Sequence, residues 1–169
     1  MAIVHLDAED VVAAMTVTTF KTLESRFRKA KPKNGQMYED CLTDNLAGYL
    51  AEAAVAKMLR LQWPQPHTLL WSARHDGDLL HKGQVLEVRA TKKPYVKPHL
   101  LAQPDDHDDR FYVLVSPRDP HTHTFRVVGG IMGADMKREE WWGERVNGRA
   151  CFWVPAEALV PFGPKLAWT

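Results

Sequence analysis

Apolar residues recur at helical spacing in two stretches of the chain. The first covers about residues 7–30, where Asp7 can cap the N-terminus. Its predicted buried stripe consists of Val12, Met15, Phe20, Leu23 and Phe27. The second covers residues 43–61, which Thr43 or Asp44 can cap, and it ends before a proline-rich stretch. Its predicted stripe consists of Leu46, Leu50, Ala53, Ala54 and Leu61.

After the second helix the spacing changes to an alternation of polar and apolar positions, which is typical of a β-hairpin. Lys82-Gly83 marks the turn, and any even-length loop centred on it places Asp78 opposite Glu87. Because side chains alternate along a strand, Glu87, Arg89 and Thr91 share one face. The apolar residues between them share the other face. The pattern therefore predicts a strand with one polar face and one face packed on a helix layer.

Later apolar runs predict further strands and short helices. The predicted strands cover residues 99–101, 111–116, 124–128 and 151–154, the last strand before a closing turn of helix at 155–159. The strand at 124–128 ends at Gly129-Gly130, and a short helix covers residues 131–140. This order predicts an α/β fold, a three-layer sandwich in which a mixed β-sheet is flanked by helices. Its 169 residues indicate a single domain, 1–169, with a helical N-terminal part of about 1–35.

Three carboxylates stand where these elements can bring them together. Glu52 lies in the second helix, and Asp78 and Glu87 face each other in the hairpin with Cβ atoms about 5 Å apart. Carboxylates this close repel, and they stay ionised only when a cation sits between them. Oxygen ligands suit a hard cation such as Mg²⁺. The alternative interpretation is a solvated sheet edge, with a solvent-facing helical Glu52, that binds nothing.

Residues 48–52, 78–80 and 86–91 together resemble the PD-(D/E)XK superfamily of restriction-endonuclease-like nucleases. In that superfamily a helical Glu precedes a hairpin that carries Asp, and the next strand carries Glu-x-Lys. The matching positions are Glu52, Asp78, Glu87 and Arg89. Residues 111–162 are similar to the second half of small phage and prophage proteins of that superfamily. The resemblance implies a restriction-endonuclease-like core at about residues 43–162 and a metal-dependent nuclease that hydrolyses phosphodiester bonds, with DNA as the expected substrate.

The resemblance also implies how the site is composed. The implied ligands of Mg²⁺ (or Mn²⁺) are Asp78, Glu87, Glu52 and the backbone carbonyl of Val88. Arg89 stands where the family has lysine, and it can clamp a phosphate but cannot act as a general base because arginine stays protonated. Lys92 or Lys93 can supply the missing amine if the strand bends after residue 91. Alternatively, Arg89 forms a salt bridge to Glu87 or Asp78 in a metal-free, inactive site.

The net charge of +1 excludes a global basic field, so any affinity for DNA must come from local patches. One candidate patch lies at the end of the first helix and comprises Arg26, Arg28, Lys29, Lys31 and Lys33. These cations can track phosphates, or they can complement a helix C-terminus. Arg145 and Arg149 follow Trp141-Trp142 and form a second candidate patch, although tryptophans that anchor a loop are an equally ordinary explanation. The acidic run at 105–109 is predicted to be a solvated turn.

The remaining features concern the cellular setting. The chain has only two cysteines, which lie far apart in the sequence and lack the spacing of a zinc site. This favours a reducing compartment, and a single disulfide between the two cysteines is the alternative. The chain begins without a signal-peptide pattern and has no run of membrane-spanning length. We therefore expect a cytoplasmic protein, in the host cytoplasm if it is phage-encoded, with nucleic acid as its partner and no membrane. A homodimer would suit double-strand cutting.

Three other functions remain compatible with the sequence. One is a metal-free relative of the nucleases that binds DNA or has a structural role, in which Arg89 marks lost chemistry. Another is a phosphohydrolase built on His75-Asp76, although the following Gly77 favours a turn there. The last is a small partner-binding protein that uses Trp141-Trp142 as its anchor.

Overall fold

The computed structural model describes residues 1–27, 38–64, 77–119, 122–144 and 150–163. Two long helices come early, and most strands come later. The elements in chain order are β1 (Ala2–His5), α1 (Ala8–Phe27), α2 (Tyr38–Leu59), β2 (Leu79–His81), β3 (Gln84–Ala90), β4 (His99–Ala102), β5 (Phe111–Asp119), β6 (Thr124–Met132), α3 (Gly133–Met136), β7 (Trp142–Glu144) and β8 (Ala150–Pro155). Short 3₁₀ turns cover Glu139–Trp141 and Ala156–Ala158. None of the helices in these ranges is long and apolar enough to cross a bilayer.

The strands form two sheets. The larger has the order β1-β6-β5-β3-β2, and it is mixed because β3 and β5 run parallel while the other neighbours run antiparallel. The smaller is antiparallel with the order β4-β8-β7. The predicted α/β class with a mixed sheet is thereby confirmed.

The larger sheet is covered on both faces. Helix α2 packs on one face through its alanine-rich surface, and Ala53 and Ala54 share one buried hydrophobic cluster with Leu86 and Val113 of the sheet. The other face packs against the smaller sheet and α3, so this covering layer is mostly strand, whereas the sequence analysis placed helices on both sides. Strand β5 lies between the two cores. Its residues Phe111 to Ser116 are all buried, as expected for an internal strand covered on both faces.

The predicted buried stripe of α1 is wrong. Val12 is 61% exposed and Phe27 is 85% exposed, and the other three members of the stripe are also exposed. Among the α1 side chains that the structure describes, the buried ones are Ala14, Val17, Thr18 and Thr22. Small and β-branched side chains let α1 approach α2 closely, and the Thr18 hydroxyl is satisfied because it donates to the Ala14 carbonyl at 2.7 Å. Close packing between the helices, rather than side-chain hydrophobicity, selects the buried face.

Several predicted boundaries also need correction. Helix α2 begins at Tyr38, so Thr43 and Asp44 lie inside it and cap nothing, because residues before them also extend the helix. Strand β6 continues through Gly129 and Gly130 and ends at Met132. A Cβ atom at Gly130 would lie 2.1 Å from the Phe111 ring, so this glycine permits close approach between strands instead of ending one. The helix predicted at 131–140 is only the single turn α3, followed by a 3₁₀ turn.

Candidate active site

The β2–β3 hairpin has the register that the sequence predicts. His81 pairs with Gln84, and Leu79 pairs with Leu86. Both turn residues have positive φ, 49° at Lys82 and 83° at Gly83, which is the conformation of a two-residue type I′ turn. The paired register ends at Leu79, and Asp78 is the residue directly before it, at the point where β2 begins.

Asp78 is fixed to the backbone of β3. Its amide donates to the Leu86 carbonyl at 2.9 Å, and its Oδ2 accepts the Val88 amide at 2.7 Å. The Asp78 carboxylate thus accepts a hydrogen bond from β3 that a backbone carbonyl of a longer β2 would otherwise accept. The amide and carbonyl of one strand residue point toward the same neighbour, so the Val88 carbonyl is directed to the same side as Asp78.

Glu52 comes to this cluster from α2. It is only 8% exposed and lies among buried alanines. Burial raises the pKa of Glu52 well above its ordinary value, and the charge of Asp78 adds to the rise. Burial also raises the pKa of Asp78, to about 7, with the charge of Glu87 as the next cause. The three predicted carboxylates therefore lie close enough to oppose one another's ionisation.

Arg110 is part of the site, and the sequence analysis missed it. Its Nη1 donates to Glu87 Oε1 at 2.6 Å, and both side chains are largely buried. Arg110 directly precedes β5, and the parallel pairing of β5 with β3 brings it beside Glu87. No local pattern links positions 23 residues apart, so the only signal was an arginine at the start of a buried strand.

Arg89 does not form the salt bridge to Glu87 or Asp78 that the alternative interpretation expected. Its Nη2 donates to Asp106 Oδ1 at 2.9 Å, and its guanidinium lies 5.3 Å from the centre of the Tyr112 ring. Its charge still lowers the pKa of Asp78, so Arg89 remains near the cluster. The acidic run at 105–109 is consequently more than a solvated turn, because its mostly buried Asp106 holds Arg89 in place.

The two lysines proposed as a source of the missing amine lie two and three residues past the end of β3. Lys92 Nζ binds Asp44 Oδ1 of α2 at 2.7 Å, and Lys93 is exposed. Another ammonium group, that of Lys21 in α1, acts on Glu52; its side chain is 15% exposed and lies 3.8 Å from Glu24. The charge of Lys21 lowers the pKa of Glu52. Nothing in the sequence distinguished Lys21 from the other cations of α1.

Tyr49 and Trp63 complete the surroundings of Glu52. Burial raises the pKa of the Tyr49 hydroxyl above its ordinary range, with the charges of Glu52 and Asp78 as further causes. Trp63 acts on Glu52 in the opposite direction and lowers its pKa. Tyr49 thus borders the same negatively charged cluster, one turn before Glu52 on α2.

The described side chains do not already form a metal-binding site. In the part of the chain that the structure describes, no group of three or more His, Cys, Asp or Glu side chains is arranged to hold a metal ion. The chemistry of the donors nevertheless fits a hard divalent cation, because Glu52, Asp78 and Glu87 offer only oxygen and crowd their negative charges. Arg110 donates to Oε1 of Glu87, and within the described ranges no hydrogen bond is formed to Oε2.

Several predicted residues lie outside the described residues. Among the predicted phosphate-binding cations these are Arg28, Lys29, Lys31, Lys33, Arg145 and Arg149, together with the side chain of Arg26. The His75-Asp76 dipeptide also lies outside them. Trp141 is partly buried against the core of the smaller sheet, with Arg138 stacked 4.9 Å above its ring. Trp142 is half exposed and packs against Phe152.

Comparison of the chain with protein-family models, with curated proteins and with solved structures found no match. The resemblance to PD-(D/E)XK nucleases therefore stays a prediction, and it depends on the four motif residues and on their surroundings in this structure.

Proposed function

We propose that this chain is a metal-dependent nuclease of the PD-(D/E)XK type that hydrolyses phosphodiester bonds in DNA. The observation that supports this most strongly is that the buried Asp78 accepts the Val88 amide of β3 while its charge and that of Glu87 both raise the pKa of the buried Glu52. A helix carrying Glu52 packed on a mixed sheet carrying the other two carboxylates is also the arrangement expected of a restriction-endonuclease-like core.

The residues that would hold Mg²⁺ or Mn²⁺ are Asp78, Glu87 through Oε2, the Val88 carbonyl and Glu52. A bound divalent ion would polarise a phosphate and lower the pKa of a coordinated water. Without a cation the crowded carboxylates favour a protonated Glu52, since its pKa is raised by burial and by Asp78. Binding of the ion and ionisation of Glu52 are therefore expected to occur together.

The cations of the site have separate tasks in this proposal. Arg110 holds Glu87 by a short, charge-assisted hydrogen bond, so it fixes the orientation of that carboxylate. Arg89 is held by Asp106 and by the Tyr112 ring, and its remaining N–H groups can donate to the charge that develops on a phosphate. Lys21 favours the ionised form of Glu52.

The second candidate is a catalytically inactive relative that binds DNA. It is favoured by the two ion pairs Arg110–Glu87 and Arg89–Asp106, which neutralise part of the site without any metal. This candidate predicts DNA binding that weakens steeply with salt, with neither divalent-ion binding nor cleavage.

Incubation with supercoiled and linear DNA in Mg²⁺ or Mn²⁺ tests the proposal. The parent should nick DNA, whereas Asp78→Asn and Glu87→Gln should not, because each removes one negative ligand while keeping the side-chain shape. Asp105→Asn is the matched control, since Asp105 is exposed on a nearby loop, and it should cut like the parent. Equal cutting by the parent and Asp78→Asn would rule out this site. Arg89→Lys adds a further test, because a faster rate would show that the guanidinium limits catalysis.

A further inference from the structure

A cleft of about 840 Å³ opens directly beside the candidate active site. Its floor is formed by the end of β3, including Val88 and Arg89, so it is continuous with the proposed catalytic residues. One wall is the N-terminal half of α2 at Ala47 and Gly48, and the opposite wall includes Trp153 of β8. A molecule in this cleft would therefore lie between the helix layer and the smaller sheet and would contact Val88 and Arg89 of the candidate active site.

The cations of the cleft suit a chain of phosphates. Arg89, Lys92 and Lys97 line it, and Asp44, the only carboxylate among the described residues that line it, is bound by Lys92 at 2.7 Å. Lys92 is well exposed, and an exposed ion pair of this kind stabilises little, so Lys92 can exchange Asp44 for a phosphate. Although the net charge of the whole chain is only +1, this surface is locally positive.

Aromatic rings accompany these cations. Tyr95 is 51% exposed at the rim, on a loop fixed by a hydrogen bond from Arg126 to its carbonyl at 2.6 Å. Trp153 lines the wall with His99, their ring centres 6.1 Å apart in an edge-to-face arrangement. Aromatic faces beside phosphate-binding cations are the combination that holds unpaired bases, because every base has a face that can stack.

The size of the cleft favours a single strand over a duplex. A cube of the same volume has an edge of about 9 Å, whereas the major groove alone of a DNA duplex is about 12 Å wide. The bases of a duplex are also stacked on one another, so they are not available to Tyr95 or Trp153. An extended single strand fits both the size of the cleft and its aromatic surface.

We propose that this cleft binds single-stranded DNA and leads its phosphates to the candidate active site. The substrate of the enzyme is then a single strand, or the unpaired part of a partly double-stranded molecule, rather than an intact duplex. This specificity rests on the proposed nuclease function, but binding in the cleft can be measured without any cleavage.

The test is fluorescence anisotropy of a labelled oligo-dT in EDTA, with the full chain. Tyr95→Ala should weaken binding about 5- to 150-fold, the range that corresponds to the loss of one stacked base. Lys97→Ala should lower the slope of log affinity against log salt by about 0.7, as for one phosphate contact on a single strand. Lys82→Ala, an exposed lysine on the hairpin turn, is the matched control and should bind like the parent.

Three results would overturn the proposal: no binding of oligo-dT, unchanged binding by Tyr95→Ala, or tighter binding of a duplex or an oligo-rU of the same length. Cleavage assays separate this outcome from failure of the proposed function. If nicking of DNA depends on Asp78 while Tyr95→Ala binds oligo-dT like the parent, the result contradicts single-strand binding in the cleft and supports the proposed nuclease function. If oligo-dT binds through Tyr95 but no divalent metal supports cleavage, the result supports single-strand binding in the cleft and contradicts the proposed nuclease function.

Discussion

Replacing Asp78 by Asn should stabilise the metal-free protein at neutral and alkaline pH. In the folded protein, burial and the charge of Glu87 raise the pKa of Asp78 from 3.8 to about 7. A carboxyl with a raised folded pKa contributes stability at low pH that is lost as the pH rises toward that pKa. Above pH 7 the folded protein therefore carries the cost of a buried charge. Asn keeps an oxygen that can accept the Val88 amide and removes the charge.

The size of the effect follows from the pKa difference. Each pKa unit corresponds to 1.36 kcal/mol, so ionised Asp78 costs roughly 4 kcal/mol at pH 8 if its neighbours do not respond. Because Glu52 can keep its proton and relieve part of the repulsion, we expect a gain of about 2–4 kcal/mol. For a chain of this length, that corresponds to a rise in Tm of roughly 5–15 °C.

Thermal unfolding followed by circular dichroism in EDTA measures the gain. Asp78→Asn should exceed the parent in Tm at pH 8, and the difference should fall to less than half at pH 5, where folded Asp78 is protonated. The exposed control Asp105→Asn should show no such dependence on pH. Mg²⁺ at pH 8 should raise the Tm of the parent but not of Asp78→Asn. An Asp78→Asn variant with the same Tm as the parent at pH 8, or a lower one, would refute the carboxylate cluster.

Other parts of the structure lead to further predictions. Arg110→Met leaves its glutamate partner buried without a compensating charge and should lower the free energy of unfolding by about 3–5 kcal/mol in urea titrations, whereas a cost under 1 kcal/mol would contradict the ion pair. Leu23→Lys should change the free energy of unfolding by less than about 0.5 kcal/mol, because Leu23 is exposed, whereas Val17→Ala should lower it by about 1–3 kcal/mol, because Val17 is buried. A larger effect of Leu23→Lys than of Val17→Ala would show that the apolar stripe of α1 is the buried face after all. Lys21→Met should raise the pKa of Glu52 and move the acid limb of the DNA-nicking rate to higher pH, an effect that Lys21→Arg should not produce. An unchanged pH profile would show that Lys21 does not influence the ionisation of Glu52.

Local features explain how much of the site the sequence predicts. The register of β2 with β3 depends on one short turn, and Lys82-Gly83 can adopt the positive φ angles that a type I′ turn requires. The same hairpin brings Asp78, the residue directly before β2, against the backbone of β3 at Leu86 and Val88, with no information from elsewhere in the chain. The identity of α2 and the mixed α/β class were predictable for a related reason, because strong helix formers and alternating patterns act over a few residues.

Contacts between distant segments were decided only by the tertiary structure. Arg110 reaches Glu87 because β5 pairs in parallel with β3, and Asp106 reaches Arg89 because the preceding loop crosses the same sheet end. Helix α1 buries small residues and exposes its large apolar ones because it packs closely on an alanine-rich neighbour. Side-chain pattern therefore determines which elements form and which residues face each other across a turn. Which charges neutralise which, and which helix face is buried, depends on how separate elements pack.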